Sequence, residues 1–193
     1  MSDDDEHLQR LAELSAKRAG RAKVKRIDLW WASKRLAKNR PPLPWPTSCK
    51  GIPALTIKEP WASAILHMGK DVENRCWKMP KGSGLIFIHA GLSWDKNAKE
   101  NQHAYVSKRI HDINAKTTKT SGYIIGIARV DRVVPAEVSL SPWRSPGQMS
   151  WELRDVIAFP KEDWVACKGK LKLWHPEDPE GKLQTSYVHA IAR

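Results

Sequence analysis

Cysteine, small aromatics and long apolar runs are all scarce in this chain, and each shortage removes a class of protein. The three cysteines, Cys49, Cys76 and Cys167, lie far apart and none belongs to a C-x-x-C pair. An odd, dispersed set does not build a disulfide framework, and it points to a reducing, cytoplasmic compartment. No apolar run approaches the roughly 20 residues of a membrane-spanning helix. The opening Met-Ser-Asp-Asp-Asp-Glu has no apolar core, so no secretory leader is expected. The H-E-x-x-H, G-x-x-x-x-G-K-[ST] and Ser-His-Asp patterns are all missing. The histidines show no metal-ligand spacing alongside carboxylates, so neither a metal nor a cofactor is expected.

Acidic residues are also in deficit. There are 21 Asp and Glu against 33 Lys and Arg, giving a net charge of +12 and a pI near 9.8. Such a balance favours a polyanionic partner over a membrane. Against only 2 Phe and 3 Tyr stand 10 Trp, more than a core of this size needs. Indoles left over from packing can serve as stacking platforms.

Charge and proline divide the chain. Residues 17–40 carry ten Lys and Arg and one acid, Asp28, within a stretch (residues 7–40) patterned as helix. This arm can track a phosphate backbone, or pack Trp30 or Trp31 on the main domain with its charges in water. Docking on a protein partner is a further use. Four prolines in residues 41–46 then forbid helix and make a semi-rigid linker. Residues 1–50 are thus an arm and linker, 51–175 a folded domain, and 176–193 a tail with a candidate strand at 186–191. Within the domain, strands are expected at 52–58, 70–77, 85–89, 122–134, 149–157 and 170–174. Helices are expected after Pro60 and at 93–114. Short, mostly non-local strands with early helices indicate an α+β protein built on a small closed or nearly closed β-barrel with flanking helices.

The chemistry concentrates at residues 69–77, Gly-Lys-Asp-Val-Glu-Asn-Arg-Cys-Trp. In an extended chain Glu73, Arg75 and Trp77 share one face, while Val72, Asn74 and Cys76 share the other. A carboxylate, a guanidinium and an indole, with Lys70 just before them, suit a nucleobase and its phosphate.

Three segments resemble the ASCH domain, a family of the PUA-like superfamily of RNA- and modified-base-binding barrels. Leu55-Thr-Ile-Lys-Glu-Pro-Trp-Ala is similar to the family's strand and [Q/E]-P-[W/Y]-A helix start. Residues 69–77 are similar to G-x-K-x-x-E-x-R-x-W, one residue shorter between Gly and Lys and with Asp71 where Thr is usual. Residues 142–153, joined by Gly169-Lys-Leu-Lys-Leu-Trp174, are similar to the later strands. The resemblance covers about residues 53–174 and implies a PUA-like barrel whose cleft, lined by the Lys70–Trp77 motif, binds RNA or a modified nucleotide. Some members deacylate N4-acetylcytidine and at least one is a ribonuclease. Lys70 matches the deacylase Lys, but Glu73 stands where its Thr nucleophile would be.

The expected function is nucleic-acid binding, RNA before DNA. The nucleotide would lie against Lys70, Glu73, Arg75 and Trp77, with Trp61 as a second stacking surface or core residue. Ser150 and Trp151 would lie opposite, and Arg144 would reach in from a capping loop. His89, ending a buried strand, reads as structural. The alternative is a hydrolase on the same cleft, acting on RNA or a modified nucleoside with Lys70 and Glu73 as its acid–base pair.

Overall fold

The apolar run that begins at Leu85 lacks polar alternation because its strand is covered on both faces. Leu85 and Phe87 enter one core cluster, while Ile86, Ile88 and Ala90 enter another. The structure, a computed structural model, describes residues 25–37, 43–80, 84–98, 120–178 and 180–192. Residues 44–139 and 143–193 form one compact unit, and the helix α1 (Arg26–Ala37) belongs to a second. In α1, Asp28 lies in the first turn and Lys34 and Arg35 in the last, the order that the helix dipole favours. The rest of the predicted basic arm, and residues 99–114 of the predicted second helix, lie outside the described residues. Of that predicted helix, Ser93 and Trp94 belong to a strand instead.

The main unit is α+β. Its elements are β1 (Ala54–Glu59), α2 (Trp61–His67), β2 (Val72–Arg75), β3 (Leu85–Trp94), β4 (Tyr123–Pro135), β5 (Met149–Ala158), β6 (Val165–Ala166), β7 (Leu173–Trp174) and α3 (Lys182–Ile191). A seven-stranded mixed sheet runs β2-β5-β4-β3-β1-β7, with β6 paired to β4. Among the described residues only the β1–β3 ladder is parallel. No described helix is long and apolar enough to cross a membrane.

The expected barrel does not close. β2 and β7 end the strand path, and no ladder joins them among the described residues. Both end strands are short and pair on one edge only: the two residues of β7 with β1, and the four of β2 with β5. The sheet nevertheless curls. Laid flat, β2 and β1 would stand about 19 Å apart, four interstrand steps. Instead the Arg75 guanidinium of β2 donates to the Thr56 carbonyl of β1 at 2.9 Å. Irregularities in the β4–β5 ladder supply the bend: one extra residue on β5 beside Asp155, whose φ is +48°, and one on β4 beside Asp131. The inner, concave core gathers Leu55, Ile57, Ile65, Ile86, Ile88, Ile125 and Trp151, and α2 packs into it. The outer core, with Phe87, Ile127, Phe159, Trp174 and Tyr187, is covered by α3.

The tail is a helix, not the strand expected at 186–191. The Asp178 carboxylate accepts the backbone N–H groups of Leu183 and Gln184, capping the helix start. Leu183, Tyr187 and Ala190, at helical spacing, are all buried. The last domain strand is also shorter than the predicted 170–174, leaving residues 170–172 as loop.

Gly126 of β4 is where α2 approaches the sheet most tightly. A Cβ there would lie 2.6 Å from both the Ile157 carbonyl oxygen and a Leu66 methyl. Gly126→Ala is expected to destabilise the fold by about 1–3 kcal/mol, read as a lower midpoint in urea unfolding.

Candidate functional site

The unclosed edge of the sheet holds a pocket of about 570 Å³. β1 contributes Thr56, Ile57 and Lys58, β2 contributes Glu73, Asn74 and Arg75, and α2 contributes Trp61. β3 adds Gly91, Leu92 and Ser93, and loops supply the rest, including Lys70, Asp95, Ser145, Gln148 and residues 170–172. Five cations against two carboxylates line it, so it favours an anion.

Its floor is a row of three charges. Lys70 is 3 % exposed, and its Nζ donates to Glu73 Oε2 at 2.9 Å and to the Val72 carbonyl. It also lies 5.9 Å above the Trp61 ring. Glu73 Oε1 faces Arg75 Nε at 3.1 Å, close enough to pair electrostatically although the N–H is not aligned as a hydrogen bond. One carboxylate thus holds two cations. Lys70 gives its protons to the protein, whereas Arg75 keeps donors for a ligand. Gly69, at φ +70°, ends α2 and turns the chain so that Lys70 folds back under the motif.

Trp61 opens α2 behind Pro60, and its Nε1–H donates to Asp95 Oδ2 at 2.7 Å. That bond fixes the indole edge and leaves the half-exposed ring as a pocket wall. Asn74 donates its amide to the Trp143 carbonyl and accepts from the Ser145 N–H, so it anchors the loop bearing Ser145.

The structure brings Lys70, Glu73, Arg75 and Trp61 to the pocket and leaves the other four expected residues away from its lining. Trp77 packs perpendicular to Trp151, with ring centroids 4.7 Å apart, and its carbonyl accepts the Trp151 Nε1–H. The alternation that would aim Trp77 beside Arg75 stops where β2 ends. Trp151 is wholly buried in the inner core. Ser150 pairs with Asn74 in the ladder and so projects from the opposite face to Glu73 and Arg75. Arg144 stands by Glu137, whose carboxyl is held below its ordinary range by its own and Gly147's backbone N–H groups and by the Arg144 charge. Lys58, Asp95, Gln148, Lys170 and Lys172 line the pocket without having been singled out. Four of them were within sight: Lys58, Gln148, Lys170 and Lys172 sit inside the segments that resemble the family.

His89 is structural, as expected, and serves the pocket from behind. With its Nε2–H donated to the Cys167 carbonyl at 3.1 Å, it ties β3 to the loop that leads to residues 170–172. Burial lowers its pKa, opposed by that same bond. The folded chain therefore resists protonation that the unfolded chain accepts near pH 6.5. Stability is expected to hold above that pH and to fall as pH drops through the depressed folded value. His67, lowered by burial and raised by Glu59, adds in the same sense. In His89→Gln the acid loss should be smaller, read from urea midpoints between pH 7.5 and 5.

No protein-family model matches the chain, and no curated protein matches it. What the pocket can bind is therefore argued from its own residues. Among the described residues no group of three or more His, Cys, Asp or Glu is placed to hold a metal ion.

The charge row has a measurable consequence for stability. Removing one partner of a buried ion pair leaves the other uncompensated, at about 3–5 kcal/mol. Glu73→Gln should cost most of that, because it strands Lys70. Lys70→Met combined with Glu73→Gln should recover a large part, since no buried ammonium then remains. A thermal double-mutant cycle measures the difference.

Proposed function

We propose that this protein is a nucleic-acid-binding module, for RNA before DNA, that holds one nucleotide, plain or modified, in the pocket at the sheet's open edge. The observation that carries this reading is a cationic pocket of about 570 Å³ with an anchored, half-exposed indole in its wall. Its volume suits one small organic ligand. The excess of cations calls for phosphate, and the Trp61 face accepts a base of any identity. Arg75, held by Glu73 and Thr56, offers a planar fork to phosphate or a base edge. Gln148 and the hydroxyls of Ser93 and Ser145 stand near enough to read polar groups.

In this reading the curled sheet is a PUA-like barrel left open at one edge, and the ASCH resemblance of residues 55–77 and 142–174 describes its pocket side. The basic segment before residue 41, including α1, adds sequence-independent affinity. The chain works in the reducing cytoplasm, where an exposed thiol such as Cys76 persists.

The hydrolase alternative asks Lys70 to yield a proton or Glu73 to take one from a substrate. Lys70 is buried and gives one N–H to Glu73 and another to the Val72 carbonyl, while Glu73 also faces Arg75, so both residues are engaged in holding the motif together. The geometry therefore favours binding over turnover.

Fluorescence anisotropy with labelled single-stranded RNA tests this. Trp61→Ala is expected to weaken binding by about 1–3 kcal/mol, roughly ten- to a hundredfold. Arg75→Gln should weaken it and erase preference among sequences. Lys34→Gln with Arg35→Gln should lower affinity for all sequences alike and flatten its salt dependence. Unchanged affinity in both Trp61→Ala and Arg75→Gln would sink the proposal. Product from short RNAs or N4-acetylcytidine that disappears in Lys70→Ala would favour the hydrolase instead.

A further inference from the structure

The mouth of the pocket offers more cations and apolar surface than one bound nucleotide with its single phosphate would cover. Two of the most exposed apolar side chains in the described structure, Leu92 at 85 % and Leu171 at 93 %, both line it. Leu171 stands between Lys170 and Lys172, and Lys58 is exposed on the β1 side. Lys170 has one weak acidic neighbour, Glu177 at 3.9 Å, in an exposed pair. Apolar side chains so exposed, framed by cations, are poorly solvated in the free protein and gain by being covered.

The tip at residues 170–172 is held out by firm roots. Gly169 is pressed so closely on the sheet that a Cβ would lie 2.6 Å from the His89 ring and 2.7 Å from Thr56 Oγ1. Before it, the Cys167 carbonyl is bonded to His89; after it, the Trp174 indole donates to Thr56 Oγ1 at 3.0 Å. Between these anchors Lys172 takes φ +59°, a conformation that L residues other than Asn and Asp rarely adopt. Such strain at a pocket rim is a signature of a functional constraint.

We propose that this rim, Leu92 and Leu171 with Lys58, Lys170 and Lys172, is a second binding element that grips the nucleotides flanking the one in the pocket. The ligand is then an internal stretch of a single strand, not a free nucleotide. The inference rests on the pocket reading above. The two leucines pack on the neighbouring bases, as apolar wedges do between base steps, and the three lysines meet the phosphates on either side. Charge decides for a nucleic acid, since an apolar peptide would leave the lysines unanswered. Cost decides for a single strand, whose bases reach the pocket and the leucines without the unpairing and unstacking that extrusion from a duplex requires.

The test uses the full chain and two ligands, a single-stranded RNA of about six nucleotides and the corresponding nucleoside monophosphate, titrated by tryptophan fluorescence. The RNA is expected to bind at least a hundredfold more tightly. Leu92→Ser with Leu171→Ser, both on the surface, should weaken the RNA about tenfold and the monophosphate far less, lowering the ratio of the two affinities. Lys170→Gln with Lys172→Gln should reduce the salt slope for the RNA by about 1.4, two phosphates' worth for a single strand. Lys172→Gly should raise the melting temperature, because glycine accepts the positive φ, and still weaken the RNA several-fold. Equal affinity for the two ligands overturns the rim alone, as does an unchanged RNA-to-monophosphate ratio in the leucine variant. Displacement of the RNA by poly-glutamate of equal affinity also overturns it. Absence of binding by both ligands overturns the pocket reading and the rim with it.

Discussion

The geometry of the site depends on a single carboxylate. Glu73 is buried with cations on both sides, Lys70 at 2.9 Å and Arg75 at 3.1 Å. Without it, two like charges would share the edge of the sheet, and neither would have reason to stay. With it, Lys70 is drawn under the motif and Arg75 is aimed across the gap to Thr56. The guanidinium therefore spans an opening that backbone pairing leaves unsealed. A closed ladder there would satisfy the same backbone groups and leave less room for a ligand. The pocket and the open edge share one physical origin.

The same arrangement separates two uses of positive charge that composition cannot tell apart. Lys70 is a cation in the motif, but its protons go to Glu73 and the Val72 carbonyl, so it shapes the site. Lys58, Lys170 and Lys172 are exposed at the mouth, where a phosphate can reach them at the cost of no more than the weak, exposed Lys170–Glu177 pair. Desolvating a lysine to build a site costs several kcal/mol, and only a partner such as Glu73 offsets it. An exposed lysine bears no such cost and contributes through counterion release.

Much of the fold could be read from pattern. The unbroken apolar run at Leu85, the long strand through Tyr123–Pro135 and the strand Met149–Ala158 announce themselves, because buried strands constrain nearly every residue. Closure of the sheet could not be read. It turns on a two-residue β7 and on which strands happen to meet, and neither leaves a periodic trace. The tail misled for a different reason. Ser186, Tyr187, Val188 and Ile191 look β-prone, but the Asp178 cap and the burial of Leu183, Tyr187 and Ala190 outweigh that weak preference. At the site, alternation rightly joins Glu73 to Arg75 and fails at Trp77, one step past the end of β2. Strand alternation carries information only while the ladder lasts.

The contact between Trp61 and Asp95 shows why Asp95 was invisible. A tryptophan at the start of a helix beside a barrel is more often core, and part of this one is buried against Leu66's neighbours in the inner cluster. Its use as a wall depends on Asp95, 34 positions away, whose carboxylate holds the indole edge at 2.7 Å. No local spacing links the two residues. Asp95 itself is placed by β1, since its backbone N–H donates to the Glu59 carbonyl just before the helix begins. The indole is thus clamped by the same strand end that launches it. Because both ends of this short circuit belong to β1 and α2, the ring is held in one orientation. A stacking surface that keeps its place needs less ordering on binding, which is where a small pocket gains affinity that its area alone would not supply.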